Sequence, residues 1–313
     1  MARTLEIPDG LPYDPFRTSL YTPEELTAGG LDARIERYVA EHGFRAPPAR
    51  EALAQRLHDH AMDTALGEFL CARPRAVGVM GSAVIRRDDP LFATVVELGR
   101  ALADAGFLVA TGGGPGAMEA ANLGAALAGS DRDGVPEELV RMPSYEDDPD
   151  GYAAASVAVR ERMGPRSESL AIPTWFYPNE PVGQFATHVA KYFANSIRED
   201  GLLSLAVSGI VYAPGRAGTT QELFQDAAQN AYGIRGRSPM VLLGREAWDG
   251  DPSLYAVLRD QARRHGGYES LVALCETPAE AVAFIEEQQP SESLSGDPAE
   301  LLSIMKNERV RAR

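Results

Sequence analysis

Lysine is nearly absent. The chain has 313 residues and a Lys+Arg total of 30, and only Lys191 and Lys306 are lysines, leaving 28 arginines. Schiff-base chemistry needs a lysine in the site. Lys191 reads as part of a helical run beside aromatics and Lys306 lies in the tail, so neither is well placed for it. Cysteine is scarce too. Cys71 and Cys275 stand about 200 residues apart and neither sits in a CxxC arrangement. That spacing excludes a disulfide framework or a cysteine metal site and leaves two free, buried thiols. His58 and His60 are two residues apart on a helical run, so they point to different faces, and no metal or cofactor is expected. No apolar run approaches the ~18 residues of a membrane span. The opening residues "MARTLEIPDGLPYDPF" lack an apolar leader core, and a cytoplasmic chain is expected. Basic charge is also missing. The net charge of −15 argues against nucleic acid as a partner. It leaves open a small anionic ligand in a locally positive pocket.

What remains is the composition of a globular protein, 44% hydrophobic and 24% charged. Residues 1–73 read as a helical extension. It contains a capping pattern, Thr22 with Glu25, and a break at Gly29-Gly30. From residue 74 short apolar runs alternate with helical periodicity: "RAVGVMGS", "PLFATVVELGRALADAG", "FLVATGGGPG", "AMEAANLGAALAG". This pattern predicts an α/β fold, a Rossmann-like open parallel sheet flanked by helices, over residues 74–288. Residues 131–167 are polar with two helical stretches and read as an insertion or lid. "SLAIPTWFYP" resumes as a strand, "ATHVAKYFANSIRED" as a helix, and "SLAVSGIVYAPG" as the next strand. A helix then runs to Gly233, a C-cap. Residues 289–313 read as a linker and a short terminal helix.

In an open parallel sheet, ligands bind beyond the strand C-termini. Three loops are expected on that edge: Gly81-Ser82; Gly112, Gly113, Gly114 and Gly116; and Pro214 to Thr219, with Gly215, Arg216 and Gly218. The last two lead into helices, whose N-terminal amides attract anions. Neither loop is a P-loop, because the required lysine is missing. One such turn serves tight packing in many α/β proteins. Two of them point to a nucleotide phosphate.

"GGGPGAMEAAN" (Gly112–Asn122) and "PGRAGTTQE" (Pro214–Glu222) lie about 100 residues apart. Together they resemble the paired motifs of the LONELY GUY (LOG) family, GGGxxGLMG and PGGxGTxxE, whose members are often mislabelled lysine decarboxylases. The resemblance covers roughly residues 74–288. It implies a Rossmann-like fold and a homodimer or higher oligomer. It also implies hydrolysis of the N-glycosidic bond of a nucleoside 5′-monophosphate, giving free base and ribose 5-phosphate. The family's catalytic glutamate maps onto Glu222. Its arginine, on the helix before the preceding strand, is nearest to Arg198. The sequence departs from the pattern after that arginine, where "REDGLL" replaces the usual lysine and methionine. It departs again at Arg216, which stands at the motif's second glycine and either adds a charge-assisted bond to phosphate or marks a changed ligand.

Glycosidic cleavage develops positive charge on the sugar, which a carboxylate stabilises while activating water. Glu222 would do this, three residues past Thr219. Asp226, at i+4 on the same helix, either orients a ribose hydroxyl or is a solvated helix residue. Met118 lines a base pocket or packs in the core, and Asn122 one turn on is a candidate polar contact. Trp175, Phe176 and Tyr177, expected at a strand end, either stack on a base or pack internally. His188 reads as the start of the helix carrying Arg198. The alternative to hydrolysis is a nucleotide-binding or carrier protein on the same fold.

Overall fold

A computed structural model describes residues 7–42, 48–131, 134–164, 166–177, 181–233 and 236–288. The linker and short helix expected over residues 289–313 lie outside the described residues. In chain order, the N-terminal part has helices α1 (Pro23–Thr27), α2 (Leu31–His42) and α3 (Ala49–Cys71). Then come β1 (Ala76–Met80), α4 (Pro90–Asp104), β2 (Leu108–Thr111), α5 (Ala117–Leu127), α6 (Glu137–Val140), α7 (Pro149–Met163), β3 (Ser169–Ala171) and β4 (His188–Val189). The second half has α8 (Asn195–Leu205), β5 (Gly209–Tyr212), α9 (Ala217–Tyr232), β6 (Met240–Leu243), α10 (Arg245–Trp248), α11 (Leu254–Arg264), β7 (Val272–Cys275) and α12 (Pro278–Glu287).

The seven strands form one parallel sheet in the order β4-β3-β2-β1-β5-β6-β7. The chain builds outward from β1 to β4, then returns to the other side of β1 with β5. This reversal opens a crevice at the C-terminal ends of β1 and β5, where open α/β sheets bind ligands. Successive strand residues face opposite layers, as the period of two demands. Val77, Val79, Val109, Val211 and Val241 pack with residues of α4, α5 and α12. Met80, Leu108, Ala110, Ile210, Tyr212 and Leu242 pack on the other face. Leu26, Ile35, Met62 and Leu66 of α1–α3 belong to that second cluster, so the N-terminal helices share a core with the sheet.

Local signals hold where side-chain chemistry decides them. The Thr22 hydroxyl accepts from the Glu25 amide at 3.1 Å and caps α1. Gly29 breaks the helix at φ 59°, and Gly233 ends α9 in the left-handed region at φ 59°. Cys275 is a buried thiol, and Cys71 a half-buried one that donates to the Gly67 carbonyl at 3.1 Å.

The segment around "ATHVAKYF" differs from its expected helix. His188 lies in β4, and Lys191 lies beyond that strand rather than on a helix. Val189 exchanges backbone bonds with Tyr21 at 2.9 and 2.8 Å, while Ala190 donates to Ala171. Pairing on both sides outweighs the weak helical pattern. The N-terminal chain thereby covers an edge strand that would otherwise leave its polar backbone open. Strand β3 stops at Ala171, so Trp175, Phe176 and Tyr177 lie past its end. Residues 204–205, expected to begin the next strand, instead finish α8.

The insertion is fastened to the body. Arg87, with a fully buried side chain, pairs with Glu119 of α5 at 2.5 and 2.8 Å. The same guanidinium bonds the Ser156 hydroxyl of α7 and lies over the Tyr152 ring at 3.2 Å. Tyr152 and Ser156 also donate to Glu119.

Candidate functional site

A cavity of about 380 Å³ opens at the C-terminal ends of β1, β2 and β5. Its volume falls in the ~300–1,000 Å³ range of small-molecule sites. The β1 loop contributes Gly81, Ser82 and Val84, and the β2 loop contributes Gly112, Pro115 and Met118. Helix α8 supplies Arg198 and Glu199, and α9 with its leading loop supplies Arg216, Gly218, Thr219 and Glu222. Tyr177 and Pro181 close the rim. No described residue of the 131–167 insertion lines this cavity.

The two glycine loops play different parts. Helix α9 begins at Ala217, so Gly218 and Thr219, expected in the loop, stand in its first turn. Arg216 is the N-cap residue and its side chain makes no capping bond. The amides of a helix's first turn have no partner within the helix, and Gly218 and Thr219 of this turn line the cavity. Thr220 makes the first intrahelical bond, to the Arg216 carbonyl at 3.1 Å. Gly215 is required by close approach: a Cβ there would lie 2.4 Å from the Thr219 Cβ.

The first loop is closed by protein. The Ala117 amide at the start of α5 donates to the Ser82 carbonyl at 3.0 Å. Gly116 adopts φ 67°, and a Cβ on it would lie 2.8 Å from the Ala83 carbonyl carbon. Gly113 packs on Pro173, and Gly114 borders a small cleft beside Glu119 and Tyr152. Only Gly112 of these glycines reaches the cavity, under the Met118 sulfur and the Arg198 guanidinium. Asn122 is fully occupied elsewhere: it accepts from the Thr111 hydroxyl at 2.6 Å and donates to the Leu170 carbonyl at 3.5 Å. Pro214 lies behind the wall, where its carbonyl accepts from the Ser82 amide at 3.3 Å.

Arg198 is 8% exposed, and its Nε has no hydrogen-bond partner. Its guanidinium carbon sits 6.0 Å from the Tyr177 ring centroid. An ion pair with Glu199 does not form. Glu199 instead accepts from Asn195 Nδ2 at 2.6 Å and Gln221 Nε2 at 3.4 Å. No carboxylate among the described residues bonds this buried guanidinium, and its charge is felt by the Glu222 carboxyl of the same cavity.

Burial pushes the Glu222 carboxyl up to about 7, with the Arg198 charge opposing this and Glu199 adding to it. Asp226 is not a solvated residue. It is 2% exposed, bonds the Tyr212 hydroxyl at 2.8 Å, and lies outside the cavity. Its carboxyl is also pushed up to about 7, by burial. Trp175 is likewise internal: its Nε1 donates to Asp32 at 2.8 Å, and Lys191 pairs with the same carboxylate at 2.9 Å. Of the three aromatics, Tyr177 borders the cavity. Of the cavity-lining residues missed in the sequence, Glu199 is the charged one, and its signal was the acid standing where the LOG pattern has lysine.

Fold and site together define a Rossmann-like α/β protein with an open pocket at the sheet's switch point. Residues 74–139 match the family model described as the SLOG cluster4 family, of a superfamily that includes LOG-like Rossmann proteins. That match takes in the β1 and β2 loops and stops short of Pro214–Glu222. No curated protein matches the chain. Among solved structures, it is similar to the molybdenum cofactor binding protein from the phototrophic bacterium Rippkaea orientalis, at 15% identity and a TM-score of 0.43, covering 68% of this chain and 95% of that one. It is also similar to the molybdenum cofactor carrier protein from Chlamydomonas reinhardtii, at 18% identity and a TM-score of 0.41, covering 68% and 96%. These likenesses concern the fold alone.

Proposed function

We propose that the protein hydrolyses the N-glycosidic bond of a nucleoside 5′-monophosphate. The observation that carries this is the meeting, in one cavity, of the N-terminus of α9, a buried Arg198 with no ion pair among the described residues and a carboxyl at Glu222 raised to about 7.

The 5′-phosphate binds at the first turn of α9, where free amides and the helix dipole favour an anion. Arg216, at the mouth of the same turn, adds a charge-assisted contact. Arg198 supplies the second cation, and phosphate gives it the partner it lacks. The ribose then lies between the loop and Glu222. As the C1′–N bond breaks, its electron pair leaves with the base and C1′ becomes oxocarbenium-like. The Glu222 carboxylate stabilises that charge and takes a proton from the attacking water. Water's oxygen bonds C1′, and the proton taken up by Glu222 passes to the departing base, which restores the carboxylate. A group titrating near neutrality suits such a base, being ionised often enough yet still willing to accept a proton. Tyr177 offers a ring face for the base. Association into a homodimer or higher oligomer belongs to the same reading and is measured by sedimentation.

The test is incubation with AMP, GMP, CMP, UMP and IMP, following free base by chromatography and ribose 5-phosphate by an enzymatic assay. Release of base from at least one nucleotide is expected. Tight binding without release from any of them would make the protein a nucleotide carrier instead.

A further inference from the structure

We propose that Asp59, on the N-terminal helix α3, is a positioning residue for Arg198; the inference rests on the reading of the nucleotide site above. Helix α8 carries Arg198 but does not cap itself. Its N-cap residue is Ala194, which has no side chain able to accept a bond. The acceptor comes from α3. Asp59 Oδ1 accepts from the Phe193 amide at 2.9 Å and Oδ2 from the Ala194 amide at 3.0 Å. One carboxylate therefore fixes two consecutive peptide units at the entry to the helix. The next link is direct: the Ala194 carbonyl accepts from the Arg198 amide at 3.2 Å. A negative group at this end also complements the helix dipole.

The grip extends beyond one bond pair. Tyr192 donates to Asp63 of the same α3 at 3.0 Å. The Phe193 ring lies 4.9 Å from His58 and 4.7 Å from Trp175, centroid to centroid. Asp59 is 1% exposed, with His58 Nδ1 at 3.4 Å from Oδ1 and His58 Nε2 at 2.9 Å from the Tyr21 hydroxyl. Helix α3 thus holds residues 192–194 as a unit. At the far end of Arg198, Nε has no partner. With no ion pair to another described residue, the guanidinium has its aim set at its backbone root, which Asp59 fixes. Misplacing a positioned group by ~1 Å costs about 100-fold in rate, so an anchor one turn away bears on turnover.

The experiment compares full-length D59A and D59N, each alone and combined with R198Q. Readouts are kcat/KM on whichever nucleotide the parent cleaves, ribose 5-phosphate affinity by calorimetry, melting, and amide exchange by mass spectrometry. Faster exchange is expected at the first turn of α8, with α9 unchanged. D59A alone should lower kcat/KM by about 10- to 100-fold and weaken ribose 5-phosphate. On the R198Q background both losses should shrink to near nothing, while the fall in melting temperature stays the same on both backgrounds. D59N should fall between parent and D59A, because its amide keeps one acceptor, and it carries the comparison if D59A does not fold. Equal functional losses on both backgrounds would mean Asp59 acts through overall stability, and the proposal fails. Unchanged exchange at α8 overturns it as well. If the parent neither binds nor cleaves any nucleotide, the functional reading is what fails. Exchange at α8 then decides the anchoring alone, faster exchange upholding it and unchanged exchange sinking it.

Discussion

Tyr212, the last residue of β5, donates a hydrogen bond from its hydroxyl to Asp226 at 2.8 Å, and this bond ties α9 to the strand that precedes it. The pair lies one helical turn behind Glu222, inside the protein rather than in the cavity. Burial raises the Tyr212 hydroxyl well above its usual range and pushes the Asp226 carboxyl up to about 7, although the tyrosine's bond works to lower the latter.

A pH dependence of stability follows with a definite sign. Unfolded Asp226 ionises near pH ~3.9, whereas the folded chain keeps the proton until about pH 7. The folded state binds more protons in that window, so stability falls as pH rises through it and levels off above. D226N, which cannot ionise, should be more stable than the parent at pH 8, by on the order of 2–4 kcal/mol. The advantage should shrink steadily toward pH 4. Melting curves at intervals across that range check it, and a constant difference would contradict the buried-acid account.

Glu222 shows the same sign in stability but a different one in activity. E222Q should remove turnover by about 10²–10⁴-fold while leaving nucleotide affinity nearly intact. In the parent, kcat/KM should rise with pH and level off once the carboxyl, held up to about 7, has ionised. Undiminished turnover in E222Q would remove the mechanism.

Arg198 makes a stability prediction opposite to that of an ordinary ion pair. R198Q removes a buried cation that bonds no carboxylate among the described residues, so it should melt no lower than the parent. Its affinity for ribose 5-phosphate should drop about 10- to 100-fold, the worth of a charged hydrogen bond of ~1.5–3 kcal/mol. Calorimetry and melting on one preparation measure both.

The glycines of the second loop are not equivalent. G215A forces a methyl into the Thr219 side chain and should cost about 1–3 kcal/mol. G218A meets open space, with nothing within 4 Å of the added carbon, and should melt no lower than the parent. Chemical denaturation of the two variants separates them.

Arg87 and Glu119 form a buried pair that joins the insertion to the sheet. R87M should cost about 3–5 kcal/mol by stranding the Glu119 carboxylate. R87M/E119L should recover part of the loss. Urea titrations of the two variants supply the comparison.

The sheet was readable because its strands are short, apolar and closed by glycine, and because helices of clear period separate them. Residues 186–192 were not, since their pairing with Tyr21 and β3 involves partners far along the chain. The loop glycines could be read as a group but not sorted. Whether a glycine faces ligand or packs on Pro173 depends on which strand lies next to it. Asp226 shows the same limit: i+4 spacing put it on Glu222's side of the helix, but only the position of Tyr212 decides that this side is interior. Arg198 was found by motif, and its missing partner became visible only with α8, α9 and the rim in place.

Ser82 holds both loops at once. Its carbonyl takes the first amide of α5, and its own amide reaches the Pro214 carbonyl. Since β1 and β5 are neighbours in the sheet but about 130 residues apart in the chain, this junction closes a long loop and is slow to form. A nascent chain can complete β1, β2 and α5 while the acid of α9 is still to be made. A site that needs both loops is therefore complete only once α9 has been made and the Ser82 junction has closed.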